Sequence, residues 1–260
     1  MSDSISNLRT VKAIRYVTPL REGGSLPAIV EGDDDGLYVL KFRGAGQGVK
    51  VLIAELIAGE IGRFLGLKVP EIVFVELDAV LARTEPDPEI QDLIRASDGL
   101  NLALDYLPGS IMFDALIEKP DSGLASKIVW FDAFTANVDR TPRNANMLLW
   151  HKELWLIDHG AALFYQHNWD GFLENSKNPF RQIKDHILLP FADEVEKVDA
   201  ELNAKLTPEV LREIVELIPG EWLEKPQEQR EIYLEFLTKR LENPRNFVKE
   251  AIDARKVLHV

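Results

Sequence analysis

Residues 137–160, which read NVDRTPRNANMLLWHKELWLIDHG, decide how the rest of the chain is interpreted. The apolar segment before this stretch, residues 128–138, predicts a helix that ends in a polar turn. Two short apolar runs follow, at residues 147–150 and 154–157, and they predict a β-hairpin. The second run delivers a carboxylate, Asp158, directly before His-Gly. A helix, a polar loop, a hairpin and Asp-x-Gly is the order in which phosphotransferases present a proton acceptor and then metal ligands.

The polar loop supplies side chains that could carry this chemistry. It holds one carboxylate, Asp139, and a carboxamide five positions later, Asn144. Together with Asp158 they offer the hard oxygen atoms that Mg²⁺ prefers. A carboxylate that ends an apolar strand is costly to bury unless it is paired or bound to a cation. A structural alternative stays open, in which Asp139 pairs with Arg140 or Arg143 and Asn144 is a turn residue, but we favour the catalytic interpretation.

The amino-terminal part of the chain predicts a small sheet. Its first three strands are residues 13–20, 28–31 and 37–42. A glycine-rich turn, Gly23-Gly24-Ser25, separates the first two strands, and Lys41 lies near the end of the third. Backbone N–H groups of such a turn can approach phosphate oxygens, and a third-strand lysine can reach the same oxygens. Taken alone, the triplet would be read as an ordinary turn, so its assignment depends on the other motifs.

Residues 49–65 predict an amphipathic helix. Glu55 lies in its otherwise apolar sector, where its carboxylate could pair with Lys41 and hold the ammonium group on the phosphates. The alternative is an exposed helix glutamate. The apolar neighbours Leu52 and Leu56 favour the pairing.

The remaining elements follow from the same patterns. Further strands are predicted at residues 72–77, 80–83 and 100–107, and a helical segment at residues 85–96. Beyond residue 111 the chain is predicted to be mostly helical, with helices at residues 179–188, 193–202, 207–217 and 227–256 and a break at Pro244.

Composition narrows the function classes. The chain has 260 residues, 46% of them hydrophobic, a formal net charge of −13 and no cysteine. The negative charge argues against a generic nucleic-acid binder, and the lack of cysteine excludes disulfides and thiolate metal sites. No apolar run reaches the ~18 residues expected of a membrane span. We therefore expect a cytoplasmic protein without direct nucleic-acid or membrane binding.

In their order along the chain, these motifs resemble the HipA-like kinases, and among them the compact bacterial branch. The motifs are Gly-Gly-Ser, Tyr-Val-Leu-Lys-Phe, the helical Glu55, Leu-Gly-Leu-Lys-Val-Pro, Asn-x-Asp-Arg-x-x-x-Asn and Ile-Asp-His-Gly. The resemblance spans residues 20–169. Each motif is common by itself, but their combination in this order is specific.

The resemblance implies a role for each matching position. Residues implied to contact ATP are Gly23, Gly24, Ser25, Lys41, Ala103, Asp105, Tyr106 and Leu107. The first three would cover the phosphates, and the last four belong to the crossover whose backbone would bind adenine. Glu55 would orient Lys41, Asp139 would accept the substrate hydroxyl proton, and Asn144 and Asp158 would hold Mg²⁺.

Two positions depart from the family pattern. Thr141 stands where HipA-like proteins usually have histidine, and His159 stands where common protein kinases have phenylalanine. We expect His159 to hydrogen-bond the backbone of the Asp139 loop. Asn137 is expected to brace that loop, while Asn146 is either a second metal contact or a turn brace.

The implied fold is α+β and two-lobed, like that of protein kinases. A small antiparallel β-sheet lobe would cover residues 1–107, and a mainly helical lobe would cover residues 108–260. The implied activity is transfer of the γ-phosphoryl group of Mg-ATP to a hydroxyl, with a protein Ser/Thr as the expected acceptor. Two alternatives stay open: a small-molecule kinase, and a nucleotide-binding regulatory module without transfer activity.

Overall fold

The computed structural model describes residues 8–20, 26–46 and 48–258. Gly23, Gly24 and Ser25, which the sequence singles out as a phosphate-covering turn, lie outside the described residues.

Five strands of the amino-terminal part form a closed barrel. In chain order they are β1 (Thr10–Pro19), β2 (Ala28–Gly32), β3 (Leu37–Lys41), β4 (Ile72–Leu77) and β5 (Gly99–Asp105). Around the barrel the order is β1-β2-β3-β5-β4. The expected purely antiparallel sheet is therefore wrong at one pairing, because β1 pairs in parallel with β4, with Thr10 opposite Phe74 and Val11 opposite Val75. Alternating apolar residues show which segments are strands, but they do not show which strands pair.

One predicted strand is a helical turn. Residues 80–83 belong to a 3-10 helix, Ala79–Thr84. The Asp78 side chain starts it by accepting a hydrogen bond from the Val80 N–H at 2.8 Å. Such aspartate caps favour helical turns over extended chain, although the apolar residues match a strand pattern.

The helices flank and follow the barrel. Their bounds are α1 (Val49–Phe64), α2 (Pro88–Ala96), α3 (Ser122–Thr135), α4 (Val195–Lys205), α5 (Pro208–Glu216), α6 (Pro226–Glu242) and α7 (Pro244–Leu258). The break between α6 and α7 falls next to Pro244, as predicted from the missing N–H of proline. The helix expected at residues 179–188 is instead part of a series of short 3-10 turns between residues 164 and 191.

The predicted hairpin after the polar loop is present. It consists of β7 (Met147–Trp150) and β8 (Glu153–Leu156), and the short strand β6 (Ile111–Met112) pairs with β7. The two turn residues between β7 and β8, His151 and Lys152, both have positive φ, which suits the twist of a two-residue hairpin turn.

Buried apolar side chains form two clusters. One fills the barrel and includes Val30, Leu40 and Val75. The larger one joins α1 and α3 to the carboxy-terminal helices. The division of the chain at residues 107 and 108 stays a prediction. Among the described residues, no helix combines the length and apolar character that crossing a lipid bilayer requires.

Candidate active site

A buried lysine and two carboxylates meet where the barrel, α1 and the hairpin come together. Lys41 ends β3, and its Nζ lies 3.0 Å from Glu55 Oε2 on α1. The same Nζ donates to Asp158 Oδ1, just beyond β8. Lys41 is 7% exposed and Glu55 is completely buried, whereas the Asp158 side chain is 40% exposed. Asp158 is thus the member of this group that faces open space.

The electrostatic environment keeps this pair charged. Burial favours a neutral lysine, but the carboxylates of Glu55 and Asp158 outweigh burial and raise the pKa of Lys41. Burial would likewise raise the pKa of Glu55, yet Lys41 and then His159 lower it below its ordinary value. The site therefore holds a fixed positive charge that is oriented by a fixed negative one.

The polar loop forms a tight turn around Asp139. Asn144 Nδ2 donates to Asp139 Oδ2 at 2.8 Å. Asn146 Nδ2 donates to the Asp139 carbonyl at 3.0 Å and to Oδ2 at 3.3 Å, and the Asp139 N–H donates to Asn137 Oδ1. Both amide groups donate to Oδ2, and within the described residues no hydrogen bond to Asp139 Oδ1 is found, so that oxygen is available as an acceptor.

A buried carboxylate that the sequence analysis did not single out, Asp132 on α3, anchors this loop. Its oxygens accept hydrogen bonds from Arg140 Nε at 2.6 Å and from Asn137 Nδ2 at 2.9 Å. His186 Nε2 lies 2.8 Å from the same carboxylate, and its Nδ1 accepts from the Leu188 N–H. The pKa of Asp132 is lowered, because Arg140 and then His186 outweigh the effect of burial. Asp132 could have been noticed as a lone carboxylate in an apolar helix, but no local signal marks His186 as its partner.

The expected hydrogen bond from His159 to the backbone of the Asp139 loop is not found among the described residues. The His159 side chain is completely buried, and Nδ1 lies 3.2 Å from Glu55 Oε1. The ring packs edge-on against Phe131 of α3 at a centroid distance of 5.8 Å. The residue before His159, Asp158, has a left-handed backbone with a φ of 55°, and the polar contact of His159 is with α1.

A cavity of about 960 Å³ opens beside these groups. Its walls come from the barrel strands, the segment after β5 and the hairpin, and they include Val39, Lys41, Leu104, Asp105, Tyr106, Leu107, Asn144, Asn146, Leu148, Ile157 and Asp158. The lining combines polar and charged side chains with aliphatic ones. A cavity of this size and mixed character suits a ligand as large as a nucleotide.

The residues predicted to contact adenine are not all at the cavity. Ala103 is completely buried in the barrel core, whereas Asp105, Tyr106 and Leu107 line the cavity. The N–H groups of Asp105 and Tyr106 donate to Glu71 and Leu37 carbonyls. Among the described residues, the Leu107 N–H has no hydrogen-bond partner, so it is the donor of this segment that a ligand could use.

The candidate metal donors are one carboxylate and one carboxamide. Asn144 turns its Nδ2 to Asp139, so its Oδ1 points away from that carboxylate. Both Asn144 and Asp158 line the cavity. Across the part of the chain that the structure describes, no three His, Cys, Asp or Glu side chains converge as a metal-binding cluster. A divalent cation here would thus share its coordination with a ligand, as Mg²⁺ does when it is bound with phosphates.

Three solved structures of kinases have a similar fold. The proinflammatory kinase CtkA of Helicobacter pylori has a TM-score of 0.54 and 15% identity, with 95% of this chain and 99% of that chain covered. Two structures of the Golgi casein kinase, one with Mn and ADP bound, have TM-scores of 0.50 and 12% identity. They cover 98% and 96% of this chain and 76% and 74% of their own. The chain therefore has a kinase-like fold.

The family follows from the sequence match. A family model described as HipA-like kinase matches residues 13–248, so the chain belongs to the HipA-like kinase family. No curated protein sequence matches the chain.

Proposed function

We propose that this protein is an ATP-dependent phosphotransferase that moves the γ-phosphoryl group of Mg-ATP to a hydroxyl group. The observation that carries the proposal is the ion pair of Lys41 and Glu55, which is buried at the cavity beside Asp158. Kinases use such a lysine to hold ATP phosphates and such a glutamate to orient the lysine. The nucleotide would lie between two lobes, residues 1–107 and 108–260.

Asn144 and Asp158 would hold Mg²⁺. Both residues line the cavity, and their oxygen atoms are hard ligands, which suits this ion. The Mn and ADP in the Golgi casein kinase structure support a divalent cation and a nucleotide in a fold of this kind. When bound, the cation would neutralise phosphate charge as it develops.

Lys41 and Asp139 of this chain would carry out the remaining parts of the reaction. The Lys41 ammonium is fixed by Glu55 and would stabilise negative charge on the phosphate oxygens. Asp139 would orient the acceptor hydroxyl and accept its proton at Oδ1, while the hydroxyl oxygen bonds to the γ-phosphorus and the bond to the leaving ADP oxygen breaks. The amide donors on Asp139 Oδ2 fix the carboxylate for this task.

The base would pack against aliphatic side chains of the cavity wall. Val39, Leu104, Leu148 and Ile157 line the cavity, and apolar side chains are suited to the faces of an aromatic base. The N–H of Leu107 would donate to a ring nitrogen of adenine. A protein Ser or Thr is the acceptor that we propose.

Replacing Asp139 by Asn tests the proposal, because the variant keeps the shape and the amide contacts but cannot accept the proton. Turnover of γ-labelled ATP with Mg²⁺ should fall by about 10²–10⁴-fold, while ATP binding is retained. The exposed Asp170 lies outside the cavity, so Asp170→Asn is the matched control and should stay at the wild-type rate.

Lysate cleared of other kinases serves as the source of acceptors. Label on protein Ser or Thr would support the proposed acceptor, and label on a metabolite would move the activity to a small-molecule kinase. If the wild type binds ATP but transfers nothing, the protein is a nucleotide-binding module. If Mg-ATP does not raise the melting temperature at all, nucleotide binding itself is refuted.

A further inference from the structure

His159 is the residue of the Asp158-His159-Gly160 motif to which the proposed function gives no task. Its imidazole is completely buried, and Nδ1 lies 3.2 Å from Glu55 Oε1. A carboxylate oxygen can only accept, so the proton is on Nδ1 and His159 is the donor. The Glu55 carboxylate thereby fixes the tautomer of the ring.

This hydrogen bond is the polar contact that distinguishes histidine from an aromatic hydrocarbon at position 159. Its other ring nitrogen, Nε2, is buried without a partner in the described part of the chain, and the ring edge packs against Phe131. A phenylalanine would fill similar space without burying an unpaired nitrogen, which is costly. Packing therefore does not account for the histidine, and the donation to Glu55 does.

The two oxygens of Glu55 serve different partners. Oε2 faces Lys41 Nζ at 3.0 Å, and Oε1 faces His159. Because a carboxylate is planar, fixing one oxygen also fixes the direction of the other. Without the imidazole, Glu55 would lose its stronger donor at position 159 and keep the weaker one, the backbone N–H, so the carboxylate could rotate away from the lysine. His159 thus sets the orientation in which Glu55 meets Lys41.

The backbone holds His159 firmly in this place. At Gly160 a Cβ would lie 2.5 Å from the nearest atom of α1, so the motif lies directly against that helix. Asp158 contacts Lys41, and the next residue, His159, contacts Glu55. Lys41, Glu55 and two successive residues of one loop therefore form a closed ring of contacts.

We propose that His159 is a positioning residue, which holds the Glu55 carboxylate so that Lys41 stays aimed into the cavity independently of its contact with Asp158. This inference rests on the proposed function, because the position of Lys41 matters for activity only if Lys41 binds the ATP phosphates. His159 is not among the site residues that the sequence predicts. The ring is held between α1 and α3, so the same contact also ties the loop to both helices.

Two substitutions distinguish the contribution of the N–H donor of His159 from that of its ring volume. His159→Phe keeps the ring volume and removes the donor, while His159→Asn keeps an N–H near the position of Nδ1. His167→Phe is the control, because His167 is exposed and lies outside the cavity. Three quantities are measured for each variant: kcat for ATP turnover, the affinity for a non-hydrolysable ATP analogue in EDTA, and the melting temperature.

The donor should matter more for lysine placement than for folding, because phenylalanine also removes the buried unpaired Nε2. In His159→Phe, kcat and the metal-free analogue affinity should each fall at least about tenfold, the effect of losing a hydrogen bond to a charged group. His159→Asn should recover both to within about threefold of wild type. His159→Phe should melt no lower than His159→Asn, and His167→Phe should match wild type in kcat and affinity.

Each other result overturns the inference. Wild-type kcat and affinity in His159→Phe would show that the donor is dispensable. Equal impairment of both variants would show that the N–H is not what matters, and losses that follow the melting temperature would assign a structural role. If the wild type binds the analogue but does not turn over ATP, the transfer activity is refuted, and the analogue affinities of the variants still test the role of His159. If the wild type does not bind the analogue, both the proposed function and the role of His159 are refuted.

Discussion

Replacing Glu55 by Gln should destabilise the protein much more than the same change five residues later on α1. Glu55 and Glu60 are both buried, and both changes conserve shape. Their surroundings shift the pKa values of the two carboxyl groups in opposite directions, however. The pKa of Glu55 is lowered because Lys41 and His159 outweigh burial, whereas burial raises the pKa of Glu60 in spite of Arg63.

The magnitude follows from the contact distance. At the 3.0 Å separation of Lys41 Nζ and Glu55 Oε2, two unit charges attract by about 5 kcal/mol at an effective dielectric constant of about 20. Removing one partner of a buried pair costs about 3–5 kcal/mol. Asp158 stays beside Lys41, so the lower end, about 3 kcal/mol, is expected for Glu55→Gln. Glu60→Gln should change stability by less than about 1 kcal/mol.

Urea unfolding at pH 7 measures both variants. The folded-state pKa of Glu55 is lowered, so its contribution is present above the ordinary value of 4.5 and is lost as the pH falls toward the folded-state value. The folded-state pKa of Lys41 is raised, so its contribution is complete below 10.5 and is lost at higher pH. The difference between wild type and Glu55→Gln should therefore be constant between pH 4.5 and 10.5.

A thermal scan gives an independent value. A loss of about 3 kcal/mol corresponds to a fall in Tm of roughly 6–12 °C for a chain of this size. If Glu55→Gln is no less stable than Glu60→Gln, the buried ion pair does not hold Lys41, and the reasoning about the site is wrong.

Three further changes test other contacts. Gly160→Ala should cost about 1–3 kcal/mol of stability, because its Cβ would lie 2.5 Å from Val51 Cγ1; Val51→Ala in the same chain should restore most of it, as judged by urea unfolding. 1-Deaza-ATP should bind about tenfold more weakly than ATP by calorimetry, since Leu107 N–H loses its acceptor. When the pH falls from 6.5 to 5.5, the free energy of unfolding of His186→Gln should decrease less than that of the wild type. Burial lowers the pKa of His186 in spite of Asp132, so folding favours the neutral ring and wild-type stability falls as the pH drops below 6.5.

Each of these has a clear contrary outcome. If the stability losses of Gly160→Ala and Val51→Ala simply add in the double variant, the Cβ at position 160 does not clash with Val51. Equal affinity for the two nucleotides would remove Leu107 from base recognition. Parallel pH curves for wild type and His186→Gln would mean that His186 does not titrate against folding.

Local features of the site were readable from the sequence. Asn144 lies five residues after Asp139 in a short turn, so their contact needs only local geometry. The hairpin that leads to Asp158 followed from two apolar runs, at residues 147–150 and 154–157. The apolar neighbours Leu52 and Leu56 favour a Glu55 that faces inward toward Lys41, and the structure brings these two residues together.

Contacts between distant segments were not readable. His159 and Glu55 are 104 positions apart, and His186 and Asp132 are 54 apart. The barrel closes through a parallel pairing of β1 with β4 that strand patterns do not specify. In each case the partner depends on how whole elements pack.

The sequence by itself thus determined most of the local elements, with residues 80–83 and 179–188 as the exceptions, because hydrophobic period, caps and turn residues act over a few positions. It also determined the family, because the order of the motifs is a property of the chain. The tertiary structure alone decided the closure of the barrel, the direction of His159 and the anchoring of the Asp139 loop by Asp132. These depend on burial, where a polar group must find a partner wherever the fold supplies one.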